Sequence, residues 1–234
     1  MQLRSMKTVI VLTALLASGP LAAQTVTLDE GTFRLLVDGN EVGTETFSIR
    51  QNGTGADAVI IARGRVVLDT ARSGEELTSS LQLAGGTLRP AAYDVTVEGA
   101  DTRKIAGRVM GGRFSARIVS SAGENLREYL VSDGAIVVDE GIAHHYYFLA
   151  RRLDGGPLRV PIVIPRASKQ VSAAVSVAGR EAVQVGGQSV NARHITVEPA
   201  GEPIRHVWVD DEDRVLRVEI PARRLVAERT SVPG

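Results

Sequence analysis

After about residue 25 the chain is built from short stretches in which apolar and polar residues alternate one by one, cut at nearly regular intervals by glycine, asparagine or aspartate. A period of two puts successive side chains on opposite faces of an extended backbone, so this pattern demands consecutive antiparallel strands with one face buried. The spacing predicts strands over 32–37, 42–49, 58–69, 75–83, 88–98, 102–110 and 113–120, and again over 170–177, 181–185, 190–198, 204–209, 215–220 and 224–229. Asp38-Gly39 supplies the positive φ angles of a tight hairpin and should pair the first two. Gly85-Gly86, Gly111-Gly112, Gly179, Gly186-Gly187 and Pro199-Ala200-Gly201 read as further reversals. Strands at this spacing favour a sandwich, a barrel or one large curled sheet.

Two segments break the rhythm. Residues 141–153 (GIAHHYYFLARRL) have no glycine or proline after the first position and end in two arginines before Gly155-Gly156-Pro157, the features of a helix and its C-terminal stop. Residues 157–165 carry prolines at every fourth position and cannot fill a ladder with donors, so they read as an edge strand or an extended crossing segment. No repeat or low-complexity linker divides the chain, and the expected organisation is a single β-rich domain over 24–234 with one inserted α-helix.

Residues 1–23 fit none of this. Arg4 and Lys7 precede the apolar run 8–17, and Gly19-Pro20 then leads to Leu21-Ala22-Ala23, the three parts of a secretory signal peptide cleaved near Ala23. The apolar run is shorter than the roughly 20 residues a membrane-spanning helix requires. A periplasmic or secreted location is therefore expected, with no transmembrane segment in the mature chain. The absence of cysteine removes both a disulfide scaffold and a lipid anchor attached through cysteine, so stability must come from a core. Charge is balanced, with 27 basic against 27 acidic residues. Nothing in that balance is built to find nucleic acid.

Candidate chemistry is sparse. There is no nucleophile elbow, no thiol and no glycine-rich loop opening a helix, and no cofactor is implied. His144 and His145 are adjacent and would project about 100° apart on a helix, which does not grip one metal. His194 and His206 would face one another across a hairpin centred on Ala200, and with Asp210 they form the weak metal candidates behind an alternative reading as a metal-dependent hydrolase. The acidic run 210–213 lacks the alternate ligands of a calcium loop and reads as a solvated turn. Tyr146, Tyr147 and Phe148 gather three of only nine aromatic residues on the expected helix, set against aliphatic strand faces. An aliphatic sheet closed by such a helix either has its core filled by the helix or can hold an apolar ligand, with these three residues and Trp208 as the expected contacts in the second case.

Read as a whole, the chain resembles uncharacterised exported bacterial proteins of the DUF3108 and DUF6134 type, whose architecture is akin to lipoprotein carriers. The resemblance rests on Gly31-Thr32-Phe33 through Asp38-Gly39-Asn40-Glu41-Val42-Gly43, on Leu88-Arg89-Pro90-Ala91-Ala92-Tyr93, on the mid-chain helix, and on Val190-Asn191-Ala192-Arg193-His194 followed by Val207-Trp208-Val209-Asp210. It implies a mainly β fold, a large curved antiparallel sheet of half-barrel or barrel-like form wrapped around the helix, and no catalytic residues. It also points to a non-enzymatic binder or carrier of a lipid or a lipoprotein acyl chain, and the chain is expected to be a monomer. An envelope assembly module that offers an edge strand to a partner is the remaining alternative.

Overall fold

The computed structural model describes residues 25–69, 74–153 and 156–234; the expected signal peptide lies outside the described residues. The strands are β1 (Thr25–Val37), β2 (Asn40–Asn52), β3 (Val59–Leu68), β4 (Glu75–Ala84), β5 (Arg89–Glu98), β6 (Arg103–Met110), β7 (Arg113–Ser120) and β8 (Gly123–Leu130). After them come β9 (Ile136–Val137), the helix α1 (Tyr146–Ala150), β10 (Leu158–Ile164), β11 (Lys169–Val185), β12 (Gln188–Pro199), β13 (Arg205–Val209), β14 (Val215–Ile220) and β15 (Leu225–Arg229).

Among the described residues, 15 strands join one sheet in the order β8-β7-β6-β5-β4-β3-β2-β1-β15-β14-β13-β12-β11-β10-β9. Every pairing is antiparallel except the short parallel contact of β9 with β10. Two meanders thus run outward from a central seam where the first and last strands meet. The sheet curls, barrel-like but not closed, with β8 and β9 as its two free edges.

Alternation sets the faces. On β2 Glu45, Phe47 and Ile49 point inward, and on β3 Ile60, Ala62, Gly64 and Val66 do so. The Asp38-Gly39 turn has φ of 53° and 78°, the left-handed pair a two-residue hairpin needs. At the seam, Arg229 of β15 grips buried Asp29 of β1 with two hydrogen bonds of 2.7 and 2.9 Å and also donates to the Glu30 carbonyl. Bidentate geometry and the added carbonyl offset the desolvation cost of a buried pair. Burial raises the Asp29 carboxyl above its usual range, against the opposing pull of Arg229.

The interior is occupied by the crossing segment 131–153, which carries β9 and α1. The helix is shorter than 141–153: five residues, entered and left through i to i+3 turns at Tyr146, Tyr147, Phe148, Arg152 and Leu153. Histidine and aromatic residues are middling helix formers, and the first N–H groups of the segment are taken by a side chain of the sheet. The proline-bearing strand β10 lies next to the edge, and its stretch from Leu158 to Pro161 has a partner only on the β11 side. Gly179 is a bulge inside one long strand, not a turn between two. Strand β8 has no counterpart in the sequence expectations: nearly every residue is exposed on both faces, including Leu126 and Leu130, so no alternation marks it.

Candidate ligand-binding site

Glu45, facing inward from β2, organises the filled end of the interior. One carboxylate oxygen accepts the Ala143 N–H at 2.7 Å; the other accepts the His144 N–H at 3.2 Å and lies 2.5 Å from His144 Nδ1. All of these groups are buried. The carboxylate thus satisfies backbone donors that the crossing segment could not pair in a ladder. His144 stacks on Phe47 with ring centroids 5.3 Å apart and lies over Gly64, where a β carbon would meet its Cε1 at 2.5 Å. Only glycine leaves room for the imidazole.

Next along the segment, buried Asp139 accepts from the Tyr93 hydroxyl at 2.7 Å and from Arg166 Nε at 3.0 Å. Its other oxygen accepts the Glu140 N–H at 3.0 Å. Burial, and then the Asp139 charge, push the Tyr93 phenol well above its usual range, which keeps it a donor. His145 Nδ1 accepts the Asp139 N–H at 3.2 Å. Burial, followed by the neighbouring His144 and Arg166, holds the His145 imidazole well below its usual range, so the ring is neutral with its proton on Nε2.

On the far side of residues 138–143 the interior is not filled. A cavity of about 360 Å³ lies between the crossing segment and the sheet, walled by aliphatic side chains such as Leu35, Val66, Leu77, Val218, Ile220 and Ala227. That is the small end of the ~300–1,000 Å³ typical of ligand sites. Its polar groups include Tyr146, Asp139, Glu140, Arg166, Arg205 and Arg223, contributed by the crossing segment and by the adjoining strand and turn ends, and Glu75 on β4. Arg223 donates to Glu140 Oε1 at 2.8 Å, and Arg166 also donates to the Glu140 carbonyl. Burial works against ionisation of Glu140, but the Arg223 hydrogen bond and the charges of Arg223, Arg166 and Arg205 outweigh it and hold the carboxyl below its usual range. Burial pushes the Tyr146 phenol up to about 12, so it too stays protonated.

Of the residues expected to touch a ligand, the structure places Tyr146 on the cavity wall. Tyr147 and Phe148 sit in the packed core, and the Tyr147 hydroxyl accepts from Arg151 at 3.1 Å. Trp208 lies on the outer face of the sheet in a separate cluster with Val183, Val185, Ala192 and Leu216. There its Nε1 donates to Glu181 at 2.6 Å and its ring stacks on His194.

His194 and His206 share that outer face. Their register is diagonal, His194 standing opposite Trp208 and His206 opposite Thr196, yet the rings meet with Nε2 and Nδ1 2.9 Å apart. The contact spends one nitrogen of each ring on the other, and His194 Nδ1 lies 3.1 Å from Glu181. Asp210 is four residues beyond His206, roughly 13 Å along an extended strand. Its carboxylate is held by Arg214 and by the N–H groups of Glu212 and Arg214. Among the described residues no three His, Asp or Glu side chains converge to hold a metal ion. His144 and His145 are both fully buried. Sequence reasoning also passed over Glu45, Asp139, Arg166 and Arg205, although Glu45 and Arg205 fall in phase with the inward apolar residues of their strands.

No protein-family profile matches the chain, and no curated protein matches it in sequence. The DUF3108 or DUF6134 assignment therefore gains no support beyond the coarser point that a family of unknown function shares the fold. Among solved structures, the chain is similar to a β-barrel-like protein of the domain of unknown function DUF1849 from Brucella abortus, with a TM-score of 0.59 and 10% identity. The alignment covers 90% of this chain and 98% of that one, so the likeness is one of the whole fold.

Proposed function

We propose that this protein is exported to the periplasm and acts there, as a monomer, as a non-enzymatic binder or carrier of a lipid or comparable apolar ligand. The observation that carries this reading is the aliphatic cavity of about 360 Å³ left between the crossing segment and the curved sheet. Each methylene moved from water into such a site contributes about 0.8 kcal/mol. A tail of several carbons therefore supplies enough affinity to be held without any covalent chemistry. The volume suits one short chain rather than two. All the walls come from a single chain, and export follows from the charged, apolar and small-residue segments of 1–23.

The test is native mass spectrometry of the mature protein, purified without detergent, beside solvent extraction and lipid mass spectrometry of the same sample. The expected result is a bound species of one acyl-chain size that extraction releases, or stoichiometric uptake of added 1-decanol by protein that arrives empty. Protein that carries nothing and takes up no 1-decanol at any concentration below its solubility limit would sink the proposal.

A further inference from the structure

Arg205, the first residue of β13, points inward in phase with Val207 and Val209 and is only 5% exposed. Its guanidinium differs from the two others on the cavity wall. Arg166 is paired with Asp139 at 3.0 Å and Arg223 with Glu140 at 2.8 Å. Among the described residues no carboxylate oxygen lies within the 4.0 Å of an ion pair from Arg205; its hydrogen bond runs from Nη1 to the Pro203 carbonyl at 2.9 Å. It also makes a hydrogen-bonding contact with the Tyr146 hydroxyl, which burial keeps protonated. Glu140 feels the Arg205 charge but spends its carboxylate on Arg223. The remaining acid on the wall, Glu75, is half-exposed at the start of β4.

A buried guanidinium with no carboxylate of its own carries a large desolvation cost, and a planar fork of donors is best satisfied by an oxyacid anion. Here that fork borders a cavity whose other walls are aliphatic. This inference rests on the ligand-binding reading above and deepens it. We propose that the ligand is an amphiphile with a single apolar tail and an anionic oxyacid head, a carboxylate or a phosphate monoester, and that Arg205 is the residue that recognises the head. The tail fills the aliphatic space, the head takes the Nη and Nε donors left to Arg205, and Tyr146 offers a second donor from its phenol. Arg166 and Arg223 frame the head while keeping their own carboxylates.

Decanoate, decyl phosphate and 1-decanol share one tail and differ in the head, so calorimetric titration of the mature protein with each separates the two claims. The expected result is that at least one anion binds roughly 10- to 100-fold more tightly than 1-decanol, the range of a charge-assisted hydrogen-bond pair. Whichever anion binds more tightly identifies the head. Arg205→Met should bring the ratio of anion to 1-decanol affinity down to about one, and Arg205→Lys should keep part of the preference. Equal affinity for 1-decanol and both anions in the unaltered protein overturns the head-group inference and leaves the apolar site standing; failure of all three to bind removes the site itself. Because the decisive ratio is measured on unaltered protein, a fold defect in Arg205→Met does not blunt the test. If Arg205→Met folds with its anion preference intact, the role of Arg205 is overturned.

Discussion

The two ends of the sheet's interior are built from the same strands and finished in opposite ways. At one end the crossing segment is pressed onto the sheet, with Glu45 spread over three donors, His144 over Gly64, and Phe33, Phe47, Tyr93, Phe114 and Tyr147 filling the space. At the other end the same segment stands off from aliphatic walls and leaves a cavity rimmed by arginines. The difference lies in side-chain size and in what the polar groups do. Where they hold protein backbone, the interior is shut; where Arg205 has no carboxylate partner among the described residues, it is open. A fixed crossing segment is also what keeps the open end from collapsing, so the filled end serves as the footing of the site.

The largest expected effect comes from breaking that footing. Glu45→Ala strands three buried donors at once and should cost about 3–5 kcal/mol of folding free energy, the scale of a buried pair that loses one partner. Urea unfolding measures it, and a loss under ~1 kcal/mol would mean that apolar packing alone holds the segment. Gly64→Ala, which drives a methyl group into the His144 ring, should cost about 1–3 kcal/mol by overpacking. Combined with His144→Ala, the same substitution should cost much less, because the ring it strikes is gone.

The two ends should also respond differently to acid. His145 is held neutral in the fold, with its proton affinity depressed mainly by burial, whereas in the unfolded chain it takes a proton below about pH 6.5. Its contribution is thus fully present above that pH and is lost as pH falls toward the folded-state value, at no more than about 1.4 kcal/mol per pH unit for one proton. Unfolding curves between pH 7.5 and 5 should show the decline, and His145→Gln should flatten it. The smallest stability effect is expected at the open end. Val218→Phe fills space instead of displacing atoms and should change stability by less than about 1 kcal/mol. It should nevertheless abolish uptake of 1-decanol in a titration; uptake that persists would place the ligand elsewhere.

Most of the fold was legible because the period of two was written into nearly every strand. The exceptions have physical causes. Strand β8 buries little beyond Tyr129 and so has almost no pattern to show, while the aromatic run after Gly141 looked like a longer helix because nothing local reveals that Glu45, 98 positions away, captures its first donor. The site was less legible. Parity alone places Trp208 on the opposite face from Val207 and Val209, and the same rule puts Arg205 inside. A charged residue in phase with the core was the available signal at both Glu45 and Arg205. What no local pattern supplies is the identity of the long-range partners, and hence which of the two is satisfied by protein.

The central seam sets the order of assembly. Arg229 closes on Asp29 across a sequence separation of 200, so β1 cannot gain its second neighbour until β15 has been delivered. A chain delivered N-terminus first, as in synthesis on the ribosome, would hold that edge open until β15 arrives. Folding with so many non-local pairings is slow, and an open strand edge invites association with other chains. The time spent waiting for β15, rather than the stability of the finished sheet, is then the exposed step in making this protein.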